Sequence, residues 1–189
     1  SGLHDSSIIE KIGSAFNVHI LVLEDIMNSS SRPKVEFFDD YIFITLKMLD
    51  FQGAQDTLNS EQFSLIIGKG FLLTFQERIG DNFDPIRERI KTSKGKVRGQ
   101  DAAYLAYLLL DVIIDNYIKV SQLYFTRIEK LEEVVLKRPN EYTLYQILGL
   151  RKELLDFKRS IDPLKEAINS LANESEQENA KYFRDLYDH

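Results

Sequence analysis

The chain has no cysteine and only three histidines. Disulfides, thiolate zinc sites and a cysteine nucleophile are therefore excluded, and a structural zinc site has too few donors. The lack of thiols fits a reducing compartment. Long apolar runs are also missing. The longest, from Tyr104 to Leu110, continues past Asp111 only to Ile114. That is well short of the roughly 20 residues needed to span a bilayer and reads as a core helix. No signal peptide opens the chain, so this stretch reads as soluble. Both ends look cut: Ser1-Gly2 begins close to a helix, and the pattern of 181–189 stops without a cap. There is no phosphate-binding loop, no GxGxxG and no HExxH. There is no GxSxG and no spaced Ser/His/Asp set, which points away from an enzyme. Excess positive charge is lacking too: 24 Lys and Arg against 30 Asp and Glu leave a net charge of −6. That argues against nucleic acid as a partner and is compatible with cations.

What is present is enough for a substantial core. Of 189 residues, 43% are hydrophobic and 11% aromatic, so the chain is not disordered. Asp5 or Ser6 caps a short helix over 7–16, and a second helix follows over 20–27. Asn28 and the serines after it end that helix, and Pro33 forbids its continuation. One strand runs from Val35 or Tyr41 to Leu49. A turn region covers 52–59. Strands at 61–67 and 71–76 flank the Gly68-Lys69-Gly70 turn, a hairpin pattern. Asp84-Pro85 opens a helix to about Ile90, and a basic loop covers 91–99. Asp101 caps the longest helix, 102 to about 136. After a turn at 138–140, Asn140 or Thr143 starts another long helix to about Leu171. Pro163 predicts a kink in it. A connection this short makes the two long helices antiparallel. Residues 173–179 read as a loop, and 181–189 begin a further helix. The fold class is thus α/β: a sheet flanked by helices, sandwich-like, then a long antiparallel helical hairpin and a truncated last helix. So few strands make a thin sheet, which implies further strands before Ser1.

The candidate functional residues are carboxylates. Glu24 and Asp25 are neighbours inside an apolar helical run, and their side chains diverge by roughly 100°. They are either two solvated charges or the makers of two separate contacts. Asp111 and Asp115, spaced i and i+4, share a helix face. Asp111 stands among leucines, valine and isoleucine, where an ionised carboxylate needs a partner. That partner is a Lys or Arg, or a hard cation. Asp185, Asp188 and His189 also share a face: a solvated surface, or an oxygen site of the kind Mg²⁺ prefers, with His189 accepting from an ion-bound water. The basic run Lys91, Lys94, Lys96 and Arg98 either meets phosphate or headgroups or is simply solvated. The acidic segments 129–133 and 174–178 are solvated faces that enrich divalent cations nearby.

Five stretches then resemble one family: LVLEDIMN (21–28), RPKVEFFDDYIFITLKM (32–48), SEQFSLIIGKGFLLTFQERIGDNFDPIRERI (60–90), YLAYLLLDVIIDNY (104–117) and YFRDLYDH (182–189). In order and content the chain resembles the cytoplasmic domain of the CorA family of magnesium transporters. The resemblance implies a homopentamer with a funnel-shaped cytoplasmic domain. Each subunit has an α/β sandwich (here 1–100), a long helical hairpin packed on it (101–175) and the start of a stalk helix (180–189), one domain in all. Two transmembrane helices and a Gly-Met-Asn motif follow in the family and are not in this chain. The full-length protein is expected in the cell (inner) membrane with this domain on the cytoplasmic side.

The resemblance also places regulatory Mg²⁺ between subunits. Asp25 and Asp185 of neighbouring subunits match the main site, Glu24 and Asp111 match a second site close by, and His189 lies near the first. Asp115 is a candidate for supporting either. No small-molecule substrate is implied. The isolated piece, lacking stalk and membrane helices, is expected as a monomer or dimer. Two rivals remain open at this point: a related transporter of Zn²⁺, Co²⁺ or Ni²⁺, and a soluble scaffold unrelated to transport.

Overall fold

The computed structural model describes residues 3, 5–52, 57–93, 95–137, 139–175 and 177–189. The expected chain start at Ser1-Gly2, residues 53–56 of the expected 52–59 turn, Lys94, Arg138 and residue 176 lie outside them, while Gln52 and 57–59 belong to strands rather than to a turn. Helix α1 (Ser6–Ala15) starts where Asp5 accepts a hydrogen bond from the Ser7 N–H at 3.0 Å. Helix α2 (Ile20–Met27) is capped by the ring of His19, whose Nδ1 accepts from the Leu21 N–H. The His19 N–H donates to the Tyr41 hydroxyl at 2.9 Å, which ties the start of α2 to the sheet. Gly13 lets the two helices approach: a Cβ there would lie 2.3 Å from Leu23 Cδ1.

Four described strands follow: β1 (Lys34–Phe37), β2 (Tyr41–Gln52), β3 (Thr57–Gly68) and β4 (Phe71–Gln76). They form one antiparallel sheet in the order β1-β2-β3-β4. Of the two expected starts, Tyr41 is where β2 begins, and the residues from Val35 belong to a separate strand, β1. The chain reverses after Phe37, and β1 folds back on β2 from Lys34↔Thr45 to Phe37↔Ile42. The Phe38 N–H donates to the Tyr41 carbonyl at 2.9 Å. The polar pair Asp39-Asp40 is the local signal for that reversal. Strands β2 and β3 pair along their full length, from Tyr41↔Gly68 to Gln52↔Thr57. Between β3 and β4, Gly70 takes φ +86, which only a residue without Cβ adopts at little cost.

Alternation along the strands splits the core in two. Ile44, Leu46, Phe63 and Leu65 face one way, while Phe43, Ile66 and Phe75 face the other. Helices α1 and α2 cover the second face through Ile9, Val22, Leu23 and Ile26. The first face is covered by the long helices. Helix α3 (Asp84–Lys91), with Pro at its start, and a 3₁₀ turn at Val97–Gly99 lead into them. Helix α4 (Ala102–Lys137) begins where Asp101 accepts from the Tyr104 N–H. Helix α5 (Glu141–Glu174) begins with a reciprocal Asn140/Thr143 capping box. The two run antiparallel: Tyr117 and Tyr124 both meet Phe157, and Arg127 pairs with Glu153 at 2.6 Å.

Helix α5 continues through Pro163 and ends at Glu174. Proline removes one backbone bond, to the carbonyl of Arg159, which sits on the exposed side. Buried Phe157, Leu164, Ile168 and Leu171 on either side hold the helix together. The expected loop at 173–179 shrinks accordingly. Helix α6 (Gln177–Asp188) already begins at 177 and runs parallel to α4, with Tyr182 near Gln100, Asp185 near Tyr107 and His189 near Asp111. It is held by Ala180, Phe183 and Leu186, all nearly fully buried.

Candidate functional site: two acidic clusters on opposite faces of the sheet

The first cluster forms on α2 and β1. Helix α2 buries Val22, Leu23 and Ile26 against the sheet. The helical turn then puts Glu24 fully outward and Asp25 at the rim, with a quarter of its side chain exposed. The buried amide of Gln62 on β3 donates to the carbonyls of Asp25 and Ile26 at 2.9 and 3.3 Å, clamping the end of α2. Lys34, the first residue of β1, places its ammonium 2.7 Å from Asp25 Oδ2 and 2.8 Å from Glu36 Oε1. Lys34 and Glu36 share a strand face because side chains alternate with period two. Burial pulls the Lys34 ammonium down, but its hydrogen bonds to Asp25 and Glu36 more than offset this, and it is held above its ordinary value. A pocket of about 400 Å³ opens here, lined by His19, Glu24, Asp25, Lys34, Glu36 and Phe38 among others.

The second cluster forms where α6 docks beside α4. Tyr107 donates its hydroxyl to Asp185 Oδ2 at 2.8 Å. Burial, that hydrogen bond and the charges of Asp111 and Asp185 all keep the proton on Tyr107. Asp111 and Asp115 lie one turn apart on the same face, and the His189 ring reaches both, at 3.5 and 3.8 Å. It pairs with them as a cation only when protonated. Burial is the main reason that Asp111 sits above the ordinary carboxylate value. The Asp115 charge adds to this, and His189 only partly opposes it. Asp185, Asp188 and His189 are exposed.

The structure thus brings Asp111, Asp115, Asp185 and His189 together, and leaves Glu24 and Asp25 on the far face of the sheet. Among the described residues no group of three or more His, Asp or Glu side chains is arranged to hold a metal within one chain. In the basic loop, Lys91 pairs with Glu88 and Arg98 donates to the Ile90 carbonyl. Sequence reasoning missed Tyr107, Lys34, Glu36 and Gln62. Tyr107 precedes Asp111 by one helical turn, and Lys34 and Glu36 are spaced two apart on a strand, so three of them carried a periodic signal. Gln62 carried none.

The raised Asp111 value has a measurable consequence. A carboxyl whose folded value lies above its unfolded one stabilises the fold when protonated, and that contribution is lost as pH rises. In divalent-free buffer the Asp111 penalty is absent below the ordinary value of 3.8 and complete above the raised one. Asp111→Asn is expected to melt about 1–2 °C higher than the parent at neutral pH, with the difference vanishing towards the low end of that window. Thermal melts across pH in chelator check this.

The fold is that of solved transporter domains. The soluble domain of CorA from Methanocaldococcus jannaschii superposes with TM-score 0.72 at 20% identity, over 97% of this chain and 74% of that one. The ZntB cytoplasmic domain from Vibrio parahaemolyticus superposes with TM-score 0.72 at 18% identity, over 95% and 72%. The family described as CorA-like Mg²⁺ transporter protein matches residues 3–189, and the chain belongs to that family. The cobalt/magnesium transport protein CorA of Thermotoga maritima is 43% identical over the whole chain. The chain spans about half the length of that relative, 55%. Among the described residues no helix is long and apolar enough to cross a membrane.

Proposed function

We propose that this chain is the cytoplasmic regulatory domain of a homopentameric CorA-type transporter of Mg²⁺ in the cell membrane. Neighbouring subunits share regulatory Mg²⁺ between Asp25 of one and Asp185 of the next, with Glu24 and Asp111 forming a second site alongside. The observation that carries this is the second cluster: Asp111 and Asp115 beside the His189 ring and Asp185 on Tyr107, with burial and the neighbouring carboxylates holding Asp111 above its ordinary value. Such a patch is stabilised by a cation. The donors also suit the ion. They are carboxylate oxygens at a half-exposed rim, leaving room for waters, and Mg²⁺ takes one or two carboxylates and keeps much of its hydration. Because the sheet separates Asp25 from Asp185 within a chain, an ion joining them joins two copies.

Two carboxylates about 5 Å apart repel by about 3 kcal/mol at an effective dielectric near 20. A bridging dication reverses the sign and draws subunits together. When internal Mg²⁺ falls, repulsion returns, the subunits separate, and the helices leading to the membrane carry the movement to the pore. Oxygen donors favour Mg²⁺ over softer ions. Transport of Co²⁺ is the second reading, supported by His189 as a nitrogen donor beside the carboxylates and by the name of the Thermotoga relative.

Calorimetric titration of Mg²⁺ into the full-length protein tests the proposal. Asp25→Asn or Asp185→Asn is expected to weaken binding about tenfold, the loss of one charged contact. Unchanged binding in both variants would exclude these residues as ligands.

A further inference from the structure

Lys34 lies where an arriving cation would sit. Its ammonium is 2.7 Å from one oxygen of Asp25, and the Ser31 hydroxyl lies 3.5 Å from the other. It is equally close to Glu36, at 2.8 Å, and lies 6.0 Å from the centroid of the Phe43 ring. Pro33 fixes the backbone just before it, and pairing of Lys34 with Thr45 fixes the strand. The lysine is therefore tethered at the mouth of the pocket rather than drifting over the surface.

We infer that Lys34 is a built-in competitor for the divalent ion: without the ion its ammonium occupies Asp25, and an ion binds Asp25 by displacing the ammonium onto Glu36. The inference rests on the proposed role of Asp25 and adds how occupancy of that site is set. Glu36 is what makes the exchange reversible, since the ammonium moves without losing its second acceptor. The charges explain the selectivity. Glu24, Asp25 and Glu36 with Lys34 leave a formal charge of two negatives around the pocket, which one dication neutralises. With the ammonium kept on Glu36, a monovalent ion at Asp25 replaces one unit charge by another at that carboxylate and leaves the pocket one negative charge short of neutral, so it gains less. Lys34 thus shields the site from the abundant monovalent ions and raises the concentration of dication needed to fill it.

The test uses the full-length protein in detergent, with Mg²⁺ as the probe. The midpoint is read by calorimetry and by the Mg²⁺-dependent rise in melting temperature. Lys34→Met is expected to lower the midpoint about three- to fivefold, the range of a partly exposed ion pair, and Lys34→Gln carries the same expectation should the first variant fold poorly. Lys34→Arg keeps the charge and the pairing, and its midpoint stays within about twofold or rises. In an Asp25→Asn background, Lys34→Met no longer lowers the midpoint, because the two act at one position. If both lysine replacements leave the midpoint unchanged or raise it, while Asp25→Asn still weakens binding, the competitor role is overturned and the site itself stands. If Asp25→Asn has no effect on binding, both fall together.

Discussion

Full-length protein carrying Asp25→Lys and Asp185→Lys together is expected to need at least about a hundredfold more internal Mg²⁺ to close. Each charged contact contributes about 1.5–3 kcal/mol, and each 1.4 kcal/mol is about tenfold in affinity. Losing two therefore moves the midpoint by two decades or more. The substituted side chains also face each other as like charges, so repulsion persists when the ion is abundant. The measurement is cation flux into proteoliposomes with the internal Mg²⁺ varied. Closure at the parental concentration would sink the gating proposal. Asp185 is exposed and Asp25 lies at a rim, and a melt in chelator separates any change in stability from the change in closure.

Phe183→Ala is expected to lower the stability of this domain by about 3–5 kcal/mol, the usual cost of emptying a fully buried aromatic position. For a chain of this size that is a fall in melting temperature of about 6–20 °C. Phe183 is 0% exposed and lies one turn before Leu186 and one after Ala180 on the buried stripe of α6. At 12 residues, α6 is too short to persist as a helix without that packing. Its loss also releases Asp185 from Tyr107 and His189 from Asp111 and Asp115, so the acidic cluster disperses with it. Calorimetric melting in chelator gives the first effect. The second is read from Tyr107, whose phenol then ionises at lower pH by ultraviolet titration. A variant that melts with the parent would show that α6 is not anchored by this ring.

The two results bear on different levels. Phe183 acts through packing, and its effect is already present without divalent ions. The paired lysine substitutions act through charge, and their effect appears only as the ion concentration is changed. Together they separate the placing of the acidic groups from what those groups do.

Much of the chain was legible from residue order because its signals are local. Helix α2 begins and ends at the residues the pattern marks, since the apolar run, the Asn28 stop and Pro33 all act within one turn. The same holds for β4 after its glycine turn, and for the caps at Asp5, Asp101 and Asn140. The shared faces of Asp111 with Asp115 and of Asp185 with His189 are helical arithmetic. The reversal at Phe38-Asp39-Asp40 was harder to read. An edge strand only four residues long resembles the start of its neighbour until the two are paired. Pro163 lies inside α5, where the pattern put it, with Phe157, Leu164 and Ile168 buried on either side.

By itself, then, residue order determined the elements, the alternation that gives the sheet two faces, and which carboxylates share a helix face. Family resemblance added their grouping into sites. Tertiary structure alone decided which charges meet: Lys34 with Asp25, Tyr107 with Asp185, and His189 with the aspartates of α4. The reason is physical. Periodicity acts over a few residues of one element, whereas a Coulomb or hydrogen-bond contact depends on distances between elements that only the packed core sets.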